Sequence, residues 1–260
     1  MSQSLTYASY LRLAELLSLQ TPRSRELGDE EHDEMLFIVI HQVYELWFKQ
    51  LLHEIDHVKA LMTSDDVVGA GRGLRRILSI LKVMVSQMDV LETMTPRDFL
   101  SFRDRLEASS GFQSAQFREF EFVLGHKRPD IAEGFGGTER ERLERRLHEP
   151  SLWSTFRVLL ARRDVVSERI VDETAPTEPD PTLQSALVEV YRHQPELAEL
   201  CERLVDLDEG IQEWRYRHVK MVERTIGSKM GTGGSNGVDY LASTLSKPLF
   251  PDLWAVRALL

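Results

Sequence analysis

Leu197, Leu200, Leu204, Leu207, Ile211, Trp214, His218 and Met221 recur at intervals of three and four residues. That spacing places them on one face of an α-helix, and a face sustained this long commits the chain to long packed helices. His218 is the one polar member of the stripe. The helix is expected to stop at Gly227, because residues 227–237 read GSKMGTGGSNG, too rich in glycine for helix or strand. An imidazole in a core needs a partner for each nitrogen. A hydrogen bond to a backbone carbonyl is the simpler way to hold it. A metal or haem iron on one side, with an acceptor on the other, would also satisfy it.

The same periodicity runs through most of the chain, and no convincing alternating strand occurs. Residues 7–19 read as a short amphipathic helix. Asp29 is a plausible N-cap for a long helix reaching about Met62. Between residues 35 and 48 that helix is apolar nearly all round, so it is expected to be covered on every side. A third helix carries Leu74, Ile77, Leu78, Leu81, Val85, Met88 and Leu91. Thr95-Pro96 opens a fourth, with Thr95 as cap and Pro96 in the first helical position. Ser109-Ser110-Gly111 breaks the pattern before an apolar segment at 112–124, which closes at Gly125. Residues 134–137 read as a loop, 139–148 as a solvated helix, and the proline-containing acidic stretch 173–181 as a surface linker. The expected architecture is all-α: residues 1–260 as one helical-bundle domain of long buried helices, with 126–181 as a weaker, peripheral helical segment.

Composition narrows the function. A net charge of −10 argues against nucleic acid or an anionic membrane as the main partner. A small anionic or zwitterionic ligand would need a locally placed arginine. Cys201 is the only cysteine, which excludes a disulfide within the chain, a cysteine-rich zinc site and a c-type haem attachment. With no signal-like N-terminus and no apolar run of membrane-spanning length, a cytoplasmic protein is expected.

Several residues carry candidate chemistry. His41 follows Phe37 by one turn in the most apolar helix. Alone, it reads as a locally satisfied histidine. Paired with His218 on a second long helix, it could face a flat cofactor from the opposite side. Phe99 and Arg103 are also one turn apart, an apolar wall beside a planar fork matched to a carboxylate. An ordinary surface arginine beside a core aromatic would look the same. Thr232 in the glycine-rich loop could contact a ligand, or the loop could be a plain connector. Glu54 and His57 make one Glu-x-x-His step, but a di-iron bundle needs two such steps and further glutamates, so that reading fails. Dinucleotide, phosphate-loop and serine-hydrolase signatures are absent.

Three segments together resemble the haem-dependent tryptophan 2,3-dioxygenases. HDEMLFIVIHQVYELWFKQ (32–50) resembles that family's distal helix. SFRDRLEASSGFQS (101–114) resembles its substrate-carboxylate segment. WRYRHVKMVERTIGSKMGTGGSNG (214–237) resembles its proximal-histidine helix and the loop over the ligand. The N-terminal LTYASYL (5–11) fits as well, and the similarity is collinear from about Leu5 to Pro251.

The resemblance implies an enzyme that uses haem b and O2 to cleave the indole C2–C3 bond of L-tryptophan, giving N-formylkynurenine for the kynurenine pathway. It implies His218 as the axial iron ligand and His41 as a distal acceptor for the indole N–H. It further implies Phe37 against the indole, Arg103 on the substrate carboxylate, and Phe99 lining the same pocket. Thr232 would hold the amino-acid head group, and Ser110 would lie near the haem. The family's homotetramers imply that residues 1–20 pack on a neighbouring subunit, where Tyr7, Tyr10 and Leu11 close the pocket. Ser228, Met230, Asn236 and Asp239 fall where loop identity could tune specificity, with Asn236 standing where the family more often has serine. Two alternatives stay open at this point. One is a sister haem monooxygenase acting on a substituted tryptophan to give a 2-oxindole. The other is a non-catalytic haem or oxygen sensor, which usually carries an output domain.

Overall fold

A computed structural model describes residues 4–107, 109–167, 172–227, 229 and 238–260, and among these there is helix and no strand. The N-terminal segment holds α1 (Tyr7–Leu11), α2 (Leu13–Leu16) and α3 (Arg23–Glu26). The expected single helix over 7–19 is therefore two pieces. Arg12 stands between them in the left-handed region, at φ 51°, and interrupts the helical run.

The next two helices form an antiparallel hairpin, α4 (His32–Thr63) and α5 (Val67–Leu91), joined by three residues. Helix α4 begins two residues later than Asp29 would have it, with Glu31 as its cap. The Asp29 carboxylate and carbonyl are taken by Arg105 instead. Glu34, buried in the first turn, accepts from the backbone N–H groups of Arg23 (2.7 Å) and Ser24 (2.9 Å), which ties the N-terminal segment to α4. Gly73 on α5 sits so close to α4 that a Cβ there would lie 2.5 Å from Val58 Cγ2, so glycine sets the helix spacing.

Helix α6 (Pro96–Arg103) opens as the sequence indicates, with Pro96 in its first turn and Thr95 capping Asp98 N. Asp98 returns the bond to Thr95 N, completing a capping box. After short 3-10 turns comes α7 (Ala115–Leu124), ended by Gly125 at φ 114°. Helices α8 (Pro129–Glu133) and α9 (Gly137–His148) build a small satellite core around Phe122, Leu143 and Leu147. Lys127 is almost wholly buried and donates to the carbonyls of Arg146, Leu147 and Glu149, satisfying the end of α9.

Not all of 126–181 is peripheral. Helix α10 (Leu152–Arg162) buries Trp153, Phe156, Leu159 and Leu160 in the main core. The stretch before α11 (Pro181–His193) is pinned, not loose: Glu173 accepts from Ser154 Oγ, and Asp180 pairs with Arg157.

Helix α12 (Pro195–Ile226) lies against α5 and buries Leu197, Leu200, Leu204, Leu207 and Ile211, the stripe read from the sequence. Gly227 ends it at φ 60°. On the same helix Asp208 is fully buried. Its Oδ2 accepts from Leu249 N, Phe250 N and Trp254 Nε1, clasping the segment between α13 (Val238–Ser243) and α14 (Pro251–Ala255).

Another expectation is corrected. Helix α4 is not covered on every side in the single chain, because Val39 and Leu46 are exposed. Its apolar circumference exceeds what α5, α7 and α10 can cover.

Candidate functional site

The pattern that carries the main core also leaves a gap in it. Beyond Ile211 the stripe of α12 stops being sealed: Trp214, His218 and Met221 are only partly buried, because they face a cavity of about 260 Å³. Helix α4 supplies His41, Tyr44 and Phe48 to its walls, α6 supplies Phe99 and Arg103, and α7 supplies Phe117, Arg118 and Glu121. Ser110, Phe112 and, from the C-terminal segment, Leu241 and Thr244 complete it.

The two histidines arrive differently prepared. His41 Nδ1 lies 2.7 Å from the carbonyl of Phe37, one turn back. Burial holds the ring below the usual histidine pKa and keeps it neutral, despite the opposing pull of that carbonyl and of Glu45. A neutral ring donating from Nδ1 leaves Nε2 with a free lone pair. His218 has no hydrogen-bond partner among the described residues. Burial, with His41 and Arg118 adding to it, pushes its pKa down to about 4. It is therefore a neutral imidazole with both nitrogens uncommitted, the form that binds a metal.

Aromatic rings fix these groups. Trp214 stacks on His218 with 6° between ring planes and 5.5 Å between centroids. Phe37 lies 4.1 Å from His41 and 5.8 Å from Phe99, centroid to centroid. Phe37 is thus a brace behind two wall residues and is not itself on the cavity surface of the single chain. Ser110 Oγ accepts from Phe112 N at 3.3 Å, closing the turn that brings both residues to the wall.

Of the other sequence-derived candidates, those that are described fall outside this wall. Tyr7, Tyr10 and Leu11 are 77%, 73% and 40% exposed on a helix that buries nothing. Thr232, Ser228, Met230 and Asn236 lie outside the described residues, as does the side chain of Asp239. Among the described residues no three histidine, cysteine, aspartate or glutamate side chains gather as a metal site. Glu54 pairs with Gln50 and Arg76, so the Glu-x-x-His step is structural.

Sequence reading passed over the charged side of the cavity. Arg118, Glu121 and Arg215 are all nearly buried in its wall. The signal was present: charges embedded in the otherwise apolar FREFEF of α7 must be paired if the segment packs. Arg118 also lies over the Phe112 ring at 4.4 Å, and its Nε is buried without a hydrogen-bond partner among the described residues.

With this geometry in hand, comparison with known proteins is decisive. A family model described as tryptophan 2,3-dioxygenase matches residues 1–171 and 177–260. The chain belongs to the tryptophan 2,3-dioxygenase family. A protein named tryptophan 2,3-dioxygenase from Herpetosiphon aurantiacus is 60% identical over 262 residues, covering 99% of each chain. Its namesake from Anaeromyxobacter sp. is 52% identical, covering 100% of this chain and 97% of its own. The Pseudomonas fluorescens tryptophan 2,3-dioxygenase is 42% identical, covering 99% and 92%. No helix among the described residues is long and apolar enough to cross a membrane.

Proposed function

We propose that this chain is a haem-dependent dioxygenase that inserts both atoms of O2 across the indole C2–C3 bond of L-tryptophan, giving N-formylkynurenine. The observation that carries the reading is the pair His41 and His218 in one cavity. One ring is left with a lone pair on Nε2, and the other has no hydrogen-bond partner among the described residues.

The donor set fits haem b. The neutral imidazole of His218 would hold the haem iron. The acidic side chains of haem would meet Arg118 and Arg215, and Arg118 Nε, without a hydrogen-bond partner among the described residues, is a buried donor that could meet an acceptor there. Rings of Phe48, Phe117 and Trp214 offer flat apolar walls. When bound, haem would supply a ferrous iron with one coordination position for dioxygen chemistry.

The protein's own residues then bind and orient. Arg103 pairs with the substrate carboxylate and selects amino acids over free indole. Phe99 supplies the apolar surface beside it, and Ser110 borders the cofactor end of the cavity. His41 Nε2 accepts the indole N–H, so it holds the ring in one orientation and need not carry a proton away. Phe37 fixes both His41 and Phe99, against which the indole lies. Thr232 holds the amino-acid head group.

The assembly completes the pocket. Tyr7, Tyr10 and Leu11 close the cavity of a neighbouring subunit in a homotetramer. In support, α1 buries nothing within its own chain, and α4 exposes Val39 and Leu46. A cytoplasmic location agrees with the single cysteine, Cys201, being a buried free thiol. The test is stoichiometry. Ferrous, haem-loaded protein should consume one O2 per tryptophan with no reductant used in turnover, whereas reductant consumed in step with product would contradict dioxygenation.

A further inference from the structure

Three guanidinium groups converge on one carboxylate in the cavity wall. Glu121 Oε2 accepts from Arg118 Nη1 at 2.7 Å and from Arg128 Nη2 at 2.9 Å, and Oε1 accepts from Arg215 Nη2 at 3.3 Å. Glu121 is 4% exposed, and Arg118 and Arg215 are buried almost as fully. Burial alone would raise the Glu121 carboxyl, but the three arginines together hold it below its ordinary value, so it stays charged. Neighbouring His126 is neutral, its pKa pushed down to about 4 chiefly by burial.

The partners of Glu121 lead to different parts of the site. Arg118, on α7, is sandwiched against Phe112 and Phe117, which both line the cavity. Arg215 is on α12, three residues before His218. Without the carboxylate, these cations would repel one another in a poorly solvated wall, and their forks would have no common acceptor. With it, the two arginines of the wall, Arg118 and Arg215, share one acceptor and keep their guanidinium groups on the cavity side. Two cations held together in this way suit the carboxylates that a haem b brings.

We propose that Glu121 is the positioning residue of this wall: it sets the orientation of Arg118 and Arg215 and the charge felt by the cofactor, and acts through those arginines. This rests on the haem reading above. Mutation of an ion-pair residue with a merely structural role would lower the melting temperature and leave the cofactor's redox balance alone.

The experiment measures the ferric/ferrous midpoint potential of the full-length haem-loaded protein by spectroelectrochemistry. Glu121→Gln removes a negative charge beside the cofactor, so the potential should rise, since the ferrous form carries one positive charge fewer. Glu121→Asp keeps the charge but draws it back from the arginines. It should leave the potential near wild type and speed haem transfer to apomyoglobin several-fold. Because Glu121 acts through Arg118, the effects of Glu121→Gln and Arg118→Gln should fall short of additive in the double variant. An unchanged potential in a haem-replete Glu121→Gln protein, or strictly additive effects, would overturn the proposal. If Glu121→Gln does not fold, the haem-transfer rate of Glu121→Asp decides, and a wild-type rate overturns it. A wild-type protein that takes up no haem would defeat the functional reading instead. The proposal, which rests on that reading, would fall with it.

Discussion

Trp214 and His218 lie one turn apart on α12 with their rings nearly parallel, 6° between planes and 5.5 Å between centroids. The stack restricts the imidazole in a direction that no hydrogen bond does, and leaves its nitrogens available. Replacing His218 with Ala should therefore remove the side chain that would hold the haem, without disturbing the buried stripe below it. Purified His218→Ala protein should show wild-type helicity by circular dichroism and should have lost most of its haem by pyridine haemochrome assay.

Arg103 is the last residue of α6, one turn after Phe99, and both side chains line the cavity. As the partner of a substrate carboxylate, it should matter to transition-state binding and not to haem uptake. Arg103→Leu should lower kcat/KM for L-tryptophan by an amount equal to about 2–5 kcal/mol, the cost of unpairing a buried charge pair. Haem content should stay normal. Unchanged kinetics would contradict the role.

The N-terminal segment should be needed for the pocket but not for the fold. Helix α1 is five residues long and buries no side chain, too little to be stable by itself. Deleting residues 1–12 should raise KM and loosen the oligomer in sedimentation, with haem still bound. A truncated protein with native assembly and full activity would show that α1 completes nothing.

His126 gives a pH dependence. Its pKa falls from 6.5 toward about 4 on folding, chiefly through burial, against the opposing pull of Glu121 and with Arg128, Arg215 and Lys247 adding to the fall. Below pH 6.5 the unfolded chain takes up a proton that the folded chain refuses. The stability linked to this group is complete above pH 6.5, declines as pH falls to about 4, and changes no further below that. The loss should be at most roughly 3 kcal/mol. Denaturant titrations of the haem-free protein between pH 7 and 4 should show this slope, and His126→Gln should flatten it.

Much of the fold was legible because period 3.6 is explicit where one face is buried. The α12 stripe, its end at Gly227 and the Thr95-Pro96 start of α6 all follow from local rules. What failed was decided by contacts distant in sequence. Arg105 takes Asp29 away from the helix start, and Arg12 breaks 7–19 with a backbone angle that no pattern marks. The apolar circumference of α4 promised full cover, but a sequence does not say whether the cover comes from the same chain. At the site, His41, His218, Phe99, Arg103 and Ser110 could be named from motif resemblance, and the fold brings them to one cavity. Glu121 and its arginines escaped notice because each looks like an ordinary helix-surface charge until α7 is seen to be buried on all sides.

The central claim is that both atoms of one O2 reach the substrate. In the reaction the indole C2–C3 bond breaks, C3 becomes a ketone and C2 becomes the N-formyl carbon. The two new carbonyl oxygens account for the whole of O2, with no electrons from outside. Ferrous protein supplied with L-tryptophan and 18O-labelled dioxygen should give N-formylkynurenine carrying two labelled atoms by mass spectrometry. A 2-oxindole carrying one labelled atom would contradict the account and mark the protein as a monooxygenase. A stable oxygen complex that turns over no indole would contradict it in favour of a sensor.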